Sequence, residues 1–116
     1  MVLGAESGSW GLVGGAIEVD EPPENAAARE TREETGLRIN VKGPIAALGG
    51  PQFRVRYPNG DETAYVTVVY EGRVVGGTEH PDGKETTDVR WFAQDALRSL
   101  RLEAFSRAAF EALGWL

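Results

Sequence analysis

Alternating apolar and polar positions, interrupted by glycine and proline, predict a chain of short strands with a few helices. "QFRVRY", the turn "PNGD" and the alternating "ETAYVTVVY" form a pattern that is typical of a β-hairpin. "VLG" near the start and "VRWFA" near the end predict further strands, with Trp91 and Phe92 in the core. "SWGLVGGAIEV" predicts an extended segment, and "LRINVKGPIAALGG" predicts a strand that breaks at Gly43-Pro44.

Three other segments predict helices. The first begins at Pro22 and Pro23, which suit a first helical turn, runs through "ENAAARETREET" and ends at Gly36. Asp95 is predicted to cap a short helix, "ALRSL". From Leu102 onwards, apolar residues at helical spacing predict a last amphipathic helix. Its predicted inner positions are Phe105, Ala109, Ala112 and Leu113.

Length and composition limit the class of protein. The 116 residues suffice for one domain, 1–116, and the mixture of elements indicates a layered α/β or α+β fold. No apolar run reaches the roughly 20 residues that a membrane span needs, and the N-terminus shows no secretory signal pattern. The absence of cysteine excludes disulfides, thiolate metal sites and a cysteine nucleophile. We therefore expect a cytoplasmic domain with no membrane partner.

Acidic side chains are concentrated in one stretch. Between Glu18 and Gly36 there are seven acidic and two basic side chains, so this stretch carries −5 of the net charge of −6. A nucleic-acid-binding module would show a basic patch instead, so no nucleic-acid partner is expected.

Three of these acids share one face of the predicted helix. At about 100° per residue, Glu30, Glu33 and Glu34 fall within roughly a 100° arc. Each like-charge pair at this spacing costs about 0.2–0.5 kcal/mol in an isolated helix, and Arg29 offsets only part of that cost. Two interpretations compete: a solvated helix face, or a site for a hard cation such as Mg²⁺ or Mn²⁺.

The residues that flank the helix favour the cation site. Their spacing resembles the signature of the Nudix (MutT-like) hydrolases, in which Gly, Glu, Arg-Glu, Glu-Glu and Gly follow one another at fixed intervals. The seven matching residues are Gly15, Glu21, Arg29, Glu30, Glu33, Glu34 and Gly36. Thr31 stands where the family usually has an aliphatic residue, and Val13 and Asp20 replace a common proline and glycine. None of these departures removes a functional group.

The resemblance implies a fold as well as a motif. "SWGLVGG" looks like the approach strand of the family, and "KETTDVRWF" looks like its later loop and strand. The implied architecture is an α/β/α sandwich with a mixed sheet and with the site in residues 15–37. The strand that usually precedes the segment matching "MVLG" has no counterpart, so a sheet edge is left open. We expect another subunit in a homodimer to cover that edge, although a different strand order or a start further upstream would also account for it.

The resemblance also implies a role for each matched residue. Glu30, Glu33 and Glu34 are expected to bind Mg²⁺ or Mn²⁺, and Glu30 or the loop residue Glu85 to lie near the attacking water. Arg29 is expected to orient the carboxylates. Glu21 is the expected supporting carboxylate, and Gly15 and Gly36 the expected turn residues.

Candidates for substrate binding lie outside the motif. Arg54 and Arg56 alternate on "QFRVRY" and are candidates for phosphate or ribose contacts, with an exposed strand face as the simpler interpretation. Tyr65 is a candidate for stacking on a base, with packing as the simpler interpretation. His80, in the polar loop, is either a catalytic residue or, more simply, part of the loop surface.

The expected activity is metal-dependent hydrolysis of a pyrophosphate bond in a nucleoside diphosphate linked to another group X. The expected partner is thus a small nucleotide. The alternative is a non-catalytic Nudix-fold module that binds nucleotides or regulates, although such modules usually lose the motif glutamates that this chain retains.

Overall fold

The computed structural model describes residues 1–116, and the predicted α+β class is confirmed by its elements. The strands are β1 (Val2–Glu6), β2 (Ser9–Gly11), β3 (Leu37–Leu48), β4 (Arg54–Arg56), β5 (Glu62–Ala64), β6 (Thr67–Gly77) and β7 (Asp88–Trp91). The helices are α1 (Pro23–Thr35) and α2 (Ala104–Ala112), and two 3₁₀ turns cover Pro51–Phe53 and Gln94–Ser99. Neither helix is long and apolar enough to cross a bilayer.

The strands form three separate antiparallel sheets in place of the single mixed sheet that was expected. Their orders are β2-β1-β7, β3-β6 and β4-β5. The parallel component is one isolated bridge, between Trp10 and Leu102. Helix α1 packs against β3, and α2 packs against β2 and the turn Pro51–Phe53. The domain is thus layered, but its β layer is divided.

The predicted hairpin is shorter than the sequence pattern indicates. Strands β4 and β5 pair from Arg54–Ala64 to Arg56–Glu62, but the chain leaves this pairing after Ala64. From Thr67 it continues as β6, which pairs with β3 instead. The alternating stretch "ETAYVTVVY" is therefore two strands in two sheets, because its second half is paired over its full length with the long strand β3.

The predicted break at Gly43-Pro44 is wrong, since β3 continues through it. The pairing with β6 shifts register between Val41 and Gly43 and again between Pro44 and Ala46. Proline has no N–H to donate to the ladder, so the sheet accommodates it by an irregularity rather than by ending the strand.

The buried face of α1 consists of Ala26 and two threonines. Thr31 and Thr35 are buried, and their hydroxyls donate to the carbonyl oxygens of Ala27 (2.7 Å) and Thr31 (2.6 Å) one turn earlier. A threonine in place of the usual aliphatic residue thus satisfies its hydroxyl within the helix. The departure at Thr31 therefore lies on the buried face of α1, away from the carboxylates.

The main core lies between the first sheet and α2. It consists of Leu3, Leu97, Leu102 and Phe110, with Phe92 packed against it and edge-on to Trp10 at 4.9 Å between ring centroids. The prediction that Trp91 is core is wrong: it is 51% exposed. Neighbouring residues along a strand point to opposite faces, so only one of the two adjacent aromatic rings enters the core.

Two details of the predicted C-terminal helices are also wrong. The 3₁₀ turn begins at Gln94, so Asp95 lies inside it and makes no cap. In α2, Ala112 is exposed, and the buried positions are Ser106, Ala109 and Phe110. The three buried residues are spaced i, i+3 and i+4, so the inner face of α2 includes Phe110 and leaves Ala112 outside it.

The chain exposes more surface than a compact domain of its mass. Its accessible surface is 7494 Å², whereas about 6,200 Å² is typical of a 12.5 kDa monomer. Part of the excess lies along β6, which pairs with β3 on one side only. Val66, which precedes β6, and Val75 within it are 78% and 54% exposed. This region therefore has an unpaired edge and exposed apolar side chains.

The end of α1 generates a first prediction. Gly36 has φ 76°, and a Cβ there would overlap the His80 ring and approach the Thr78 carbonyl oxygen to 2.7 Å. Gly60 also has a left-handed φ, 93°, but has open space around it. Gly60→Ala should cost about 1–2 kcal/mol of conformational free energy. Gly36→Ala should cost about 1–3 kcal/mol more, because of the added overlap.

Urea unfolding of the two variants measures the difference. Equal losses of unfolding free energy in both would show that the His80 contact relaxes without cost.

Candidate active site

The segment between β2 and α1 lies directly against two of the helix glutamates. The backbone N–H of Gly14 donates to Glu34 Oε2 at 2.8 Å. A Cβ at Gly15 would lie 2.5 Å from Glu30 Oε1. Gly15 was predicted to permit a turn, but it is not among the residues with a left-handed backbone. The close approach is a separate constraint: a Cβ at this position would require the Glu30 carboxylate to shift.

Arg29 connects the loop to the helix. Its Nε and Nη2 donate to the two oxygens of Glu21 at 2.8 and 3.0 Å, and Nη2 also donates to the Ala16 carbonyl oxygen at 3.0 Å. Its Nη1 donates to Glu30 at 2.9 Å and to Glu33 at 3.2 Å. The planar guanidinium presents a fixed fork of donors, so one side chain orients three carboxylates.

Glu21 remains charged in this arrangement. The hydrogen bond from Arg29, helped by the Glu18 backbone N–H at 3.1 Å, holds the pKa of Glu21 below its ordinary value. The same pairing with Glu21, followed by that with Glu30, raises the pKa of Arg29 above its ordinary value. Glu21 thus pairs with Arg29 through both of its carboxylate oxygens and lies at the edge of the carboxylate group.

The pKa of Glu34 is shifted in the opposite direction from that of Glu21. Burial raises the pKa of Glu34 to about 7, although the hydrogen bond from the Gly14 N–H acts to lower it. The negative charges of Glu30, Glu85 and Asp82 raise the pKa further. Glu34 therefore lies where several negative charges converge with little compensation, as in a site that receives a positive charge.

The loop that carries Glu85 has a defined shape. Asp82 Oδ1 accepts hydrogen bonds from the N–H groups of Lys84 (2.9 Å) and Thr86 (2.8 Å). Thr86 is buried, and the His80 N–H donates to the Thr35 carbonyl oxygen at 2.8 Å. The loop is thus attached to the C-terminus of α1 through His80, and it is packed into the core through Thr86.

Asp82, in this loop, was not among the predicted site residues, whereas His80 was considered as a catalytic residue or part of the loop surface. Asp82 contributes to the negative potential at Glu34 and shapes the turn; its position in "PDGK", a typical turn sequence, was the available signal. His80 contacts no motif carboxylate, so nothing in its placement indicates catalysis. It lies against Gly36 instead and joins the loop to α1.

The remaining candidates are less closely associated with the carboxylates. The side chain of Glu33 is 57% exposed and reaches the group only through Arg29. Arg54 and Arg56 are exposed on β4 and make no ion pair with the motif. Tyr65 follows β5 rather than lying within it; its hydroxyl bonds to that of Tyr57.

The side-chain oxygens of the motif are the type of ligand that a hard cation prefers. Glu30, Glu33 and Glu34 offer only carboxylate oxygens, which Mg²⁺ and Mn²⁺ prefer. No three acidic or histidine side chains converge at metal-binding distances in this structure. Glu30 and Glu33 are instead turned toward Arg29, so joint coordination requires at least Glu33 to reorient.

Comparison with known proteins finds similarity over nearly the whole chain. The family model described as NUDIX domain matches residues 2–113. A MutT-like protein of Streptomyces ambofaciens is 32% identical over 94% of this chain and 64% of its own length. The nucleoside triphosphatase NudI of Enterobacter sp. (strain 638) is 29% identical over 97% of this chain and 82% of its own. Other curated relatives are covered over less of their length, from 52% and 48% down to 30%, so the chain spans only part of several proteins that it matches.

Solved structures are similar over most of the chain. A MutT NUDIX hydrolase from Burkholderia pseudomallei has a TM-score of 0.73 at 28% identity, covering 95% of this chain and 84% of that one. An ADP-ribose pyrophosphatase from Streptococcus suis 89-1591 has a TM-score of 0.74 at 27% identity, covering 98% and 77%. These similarities confirm the predicted fold class.

Proposed function

The chain belongs to the NUDIX family, and on that premise we propose that it hydrolyses a pyrophosphate bond in a nucleoside diphosphate linked to another group X. The observation that carries the proposal is the set of carboxylates on α1, which is complete and held by Arg29 and by the loop at Gly14 and Gly15. The substrate is a small nucleotide derivative, and the proposed location is the cytoplasm, where such compounds are made.

The reaction is a displacement at phosphorus by water. The water oxygen forms a bond to one phosphorus, and the bond from that phosphorus to the bridging oxygen breaks. The bridging oxygen leaves with the second phosphate, and the water proton passes to a carboxylate oxygen. Glu30 on α1 and Glu85 in the loop are the two candidates for that base. The products are a nucleotide and a phosphorylated X.

Charge is the main obstacle, because an anionic substrate approaches an acidic surface. Glu30, Glu33 and Glu34 are the residues that would hold Mg²⁺ or Mn²⁺. When bound, such a cation supplies the positive charge that offsets the phosphate oxygens. Arg29 orients Glu30 and Glu33, and the Gly14 N–H orients Glu34.

Residues outside the motif are proposed to select the substrate. The exposed face of the hairpin β4-β5 carries Arg54 and Arg56, which would contact phosphate or ribose, and Tyr65 next to it would contact a base. A panel of nucleoside triphosphates, nucleotide sugars, ADP-ribose and dinucleoside polyphosphates identifies X. Turnover of any of them excludes a module that only binds nucleotides.

Metal dependence is tested at Glu34. Glu34→Gln preserves an acceptor for the Gly14 N–H but removes the charge, so it should retain the fold and lower the rate at least about a hundredfold. EDTA should abolish hydrolysis by the wild type, and added Mg²⁺ or Mn²⁺ should restore it. Hydrolysis that survives EDTA would contradict the proposal.

Glu85 is tested against a neighbouring acid in the same loop. Its charge acts on Glu34, so Glu85→Gln should lower turnover more than Glu79→Gln, whose charge has no resolved effect on Glu34. Steady-state rates with the preferred substrate measure both. Equal and small effects would assign Glu85 to the solvated surface of the loop.

We also propose that the chain forms a homodimer through β6. The unpaired edge, the exposed valines and the excess accessible surface favour a second copy, since a standard interface removes about 800 Å² from each partner. Sedimentation velocity at micromolar concentration should show a dimer. Val75→Arg should shift it to a monomer, whereas Val19→Arg, in the exposed loop before α1, should not. A stable, active wild-type monomer would refute the proposal.

A further inference from the structure

A buried serine on the second helix faces the loop that leads to the site. Ser106 lies in the first turn of α2 and is 2% exposed. Its Oγ accepts a hydrogen bond from the Leu12 backbone N–H at 2.9 Å and is itself hydrogen-bonded to the carboxylate of Glu103. The hydroxyl therefore joins α2 to the residue that follows β2.

Glu103 determines which way this hydroxyl points. Its carboxylate caps α2 by accepting the N–H groups of Phe105 (3.0 Å) and Ser106 (2.6 Å). Because an ionised carboxylate only accepts, the Ser106 O–H must donate to it, which leaves an oxygen lone pair for the Leu12 N–H. The Glu103 carboxylate thus both caps α2 and orients the Ser106 hydroxyl.

The chain passes α2 at a very short distance just before this contact. A Cβ at Gly11 would lie 2.9 Å from Glu103 Cγ and 3.0 Å from Ser106 Oγ. The Trp10 N–H donates to the Arg101 carbonyl oxygen (2.8 Å), and the Glu103 N–H donates to the Trp10 carbonyl oxygen (2.9 Å). These bonds fix the end of β2 against the segment that begins α2.

The same loop contacts the carboxylates within a few residues. Gly14 is two residues beyond Leu12, roughly 7 Å along an extended chain, and its N–H meets Glu34. Gly15 lies against Glu30, and the Ala16 carbonyl oxygen accepts from Arg29. Residues 12–16 are thus held by α2 at one end and by α1 at the other.

We propose that Ser106 is a positioning residue for the hydrolysis proposed above. Through its hydrogen bond to the Leu12 N–H, Ser106 fixes the distance between the loop and α1. That distance determines where the Gly14 N–H meets Glu34 and how closely Gly15 approaches Glu30. Helix α2 takes part in building the site without touching the substrate. The inference rests on the proposed function for its kinetic consequence only, since the contact between loop and helix is structural.

Ser106→Ala is the main test. Alanine has a higher helix propensity than serine, and Glu103 still caps α2, so the helix should persist while the Leu12 N–H loses its partner. Because a displacement of about 1 Å can cost up to about a hundredfold in rate, kcat should fall about tenfold with KM changed by less than about twofold. Ser106→Thr, which keeps the hydroxyl, should restore kcat. Ser99→Ala, at an exposed position, is the matched control.

A second measurement needs no substrate. The amide proton of Gly14 in the metal-free protein is deshielded by its hydrogen bond to Glu34, so its NMR resonance should move upfield in Ser106→Ala and stay in place in Ser106→Thr and Ser99→Ala. Glu103→Gln, which keeps a cap acceptor but removes the charge, should produce a smaller upfield shift. If Ser106→Ala does not fold, the Gly14 resonance of Glu103→Gln is compared with that of the wild type instead.

The two readouts separate the possible failures. An unchanged Gly14 resonance in the folded variants would overturn the positioning role. A shifted resonance with unaltered kcat would show that the loop moves without consequence for the reaction, which also overturns it. If the wild type hydrolyses no compound of the panel, the proposed function fails, and the Gly14 resonance still decides whether Ser106 positions the loop.

Discussion

The structure of this site depends on the repulsion among carboxylates that share one turn of a helix. Arg29 is the positive group that contacts Glu21, Glu30 and Glu33, and its guanidinium bonds also hold the backbone of the loop at Ala16. The loop in turn brings the Gly14 N–H to Glu34, which Arg29 does not reach. The positions of the loop and of Arg29 around α1 therefore follow from the need to pair the negative carboxylates with hydrogen-bond donors.

The parts that the sequence predicts well are those where local chemistry decides. Helix α1 begins at proline and ends at Gly36 with a left-handed backbone, as its residues require. The motif spacing places Arg29 and the glutamates on one side of the helix, and the structure pairs Arg29 with Glu30 and Glu33. Asp20, where the family commonly has glycine, also adopts a left-handed φ, 64°, a conformation that aspartate tolerates better than most residues.

The parts that the sequence does not predict depend on distant partners. Nothing local in "ETAYVTVVY" shows that its second half pairs with β3 rather than with "QFRVRY", since both pairings satisfy the same alternation. The contact between Ser106 and Leu12 joins residues 94 positions apart, and neither residue type signals it. The close approach of Gly15 to Glu30 likewise involves a side chain on another element, which the sequence around Gly15 does not indicate.

The low burial of the chain also has a thermodynamic consequence. Only 16 of 116 residues are buried, so an isolated chain exposes comparatively little additional apolar surface when it unfolds. Heat capacity and denaturant sensitivity of unfolding both scale with that newly exposed area. The free energy of unfolding of the separate chain should therefore vary gently with temperature and with urea. A broad unfolding transition would then reflect a small change in accessible surface area on unfolding rather than a loss of cooperativity.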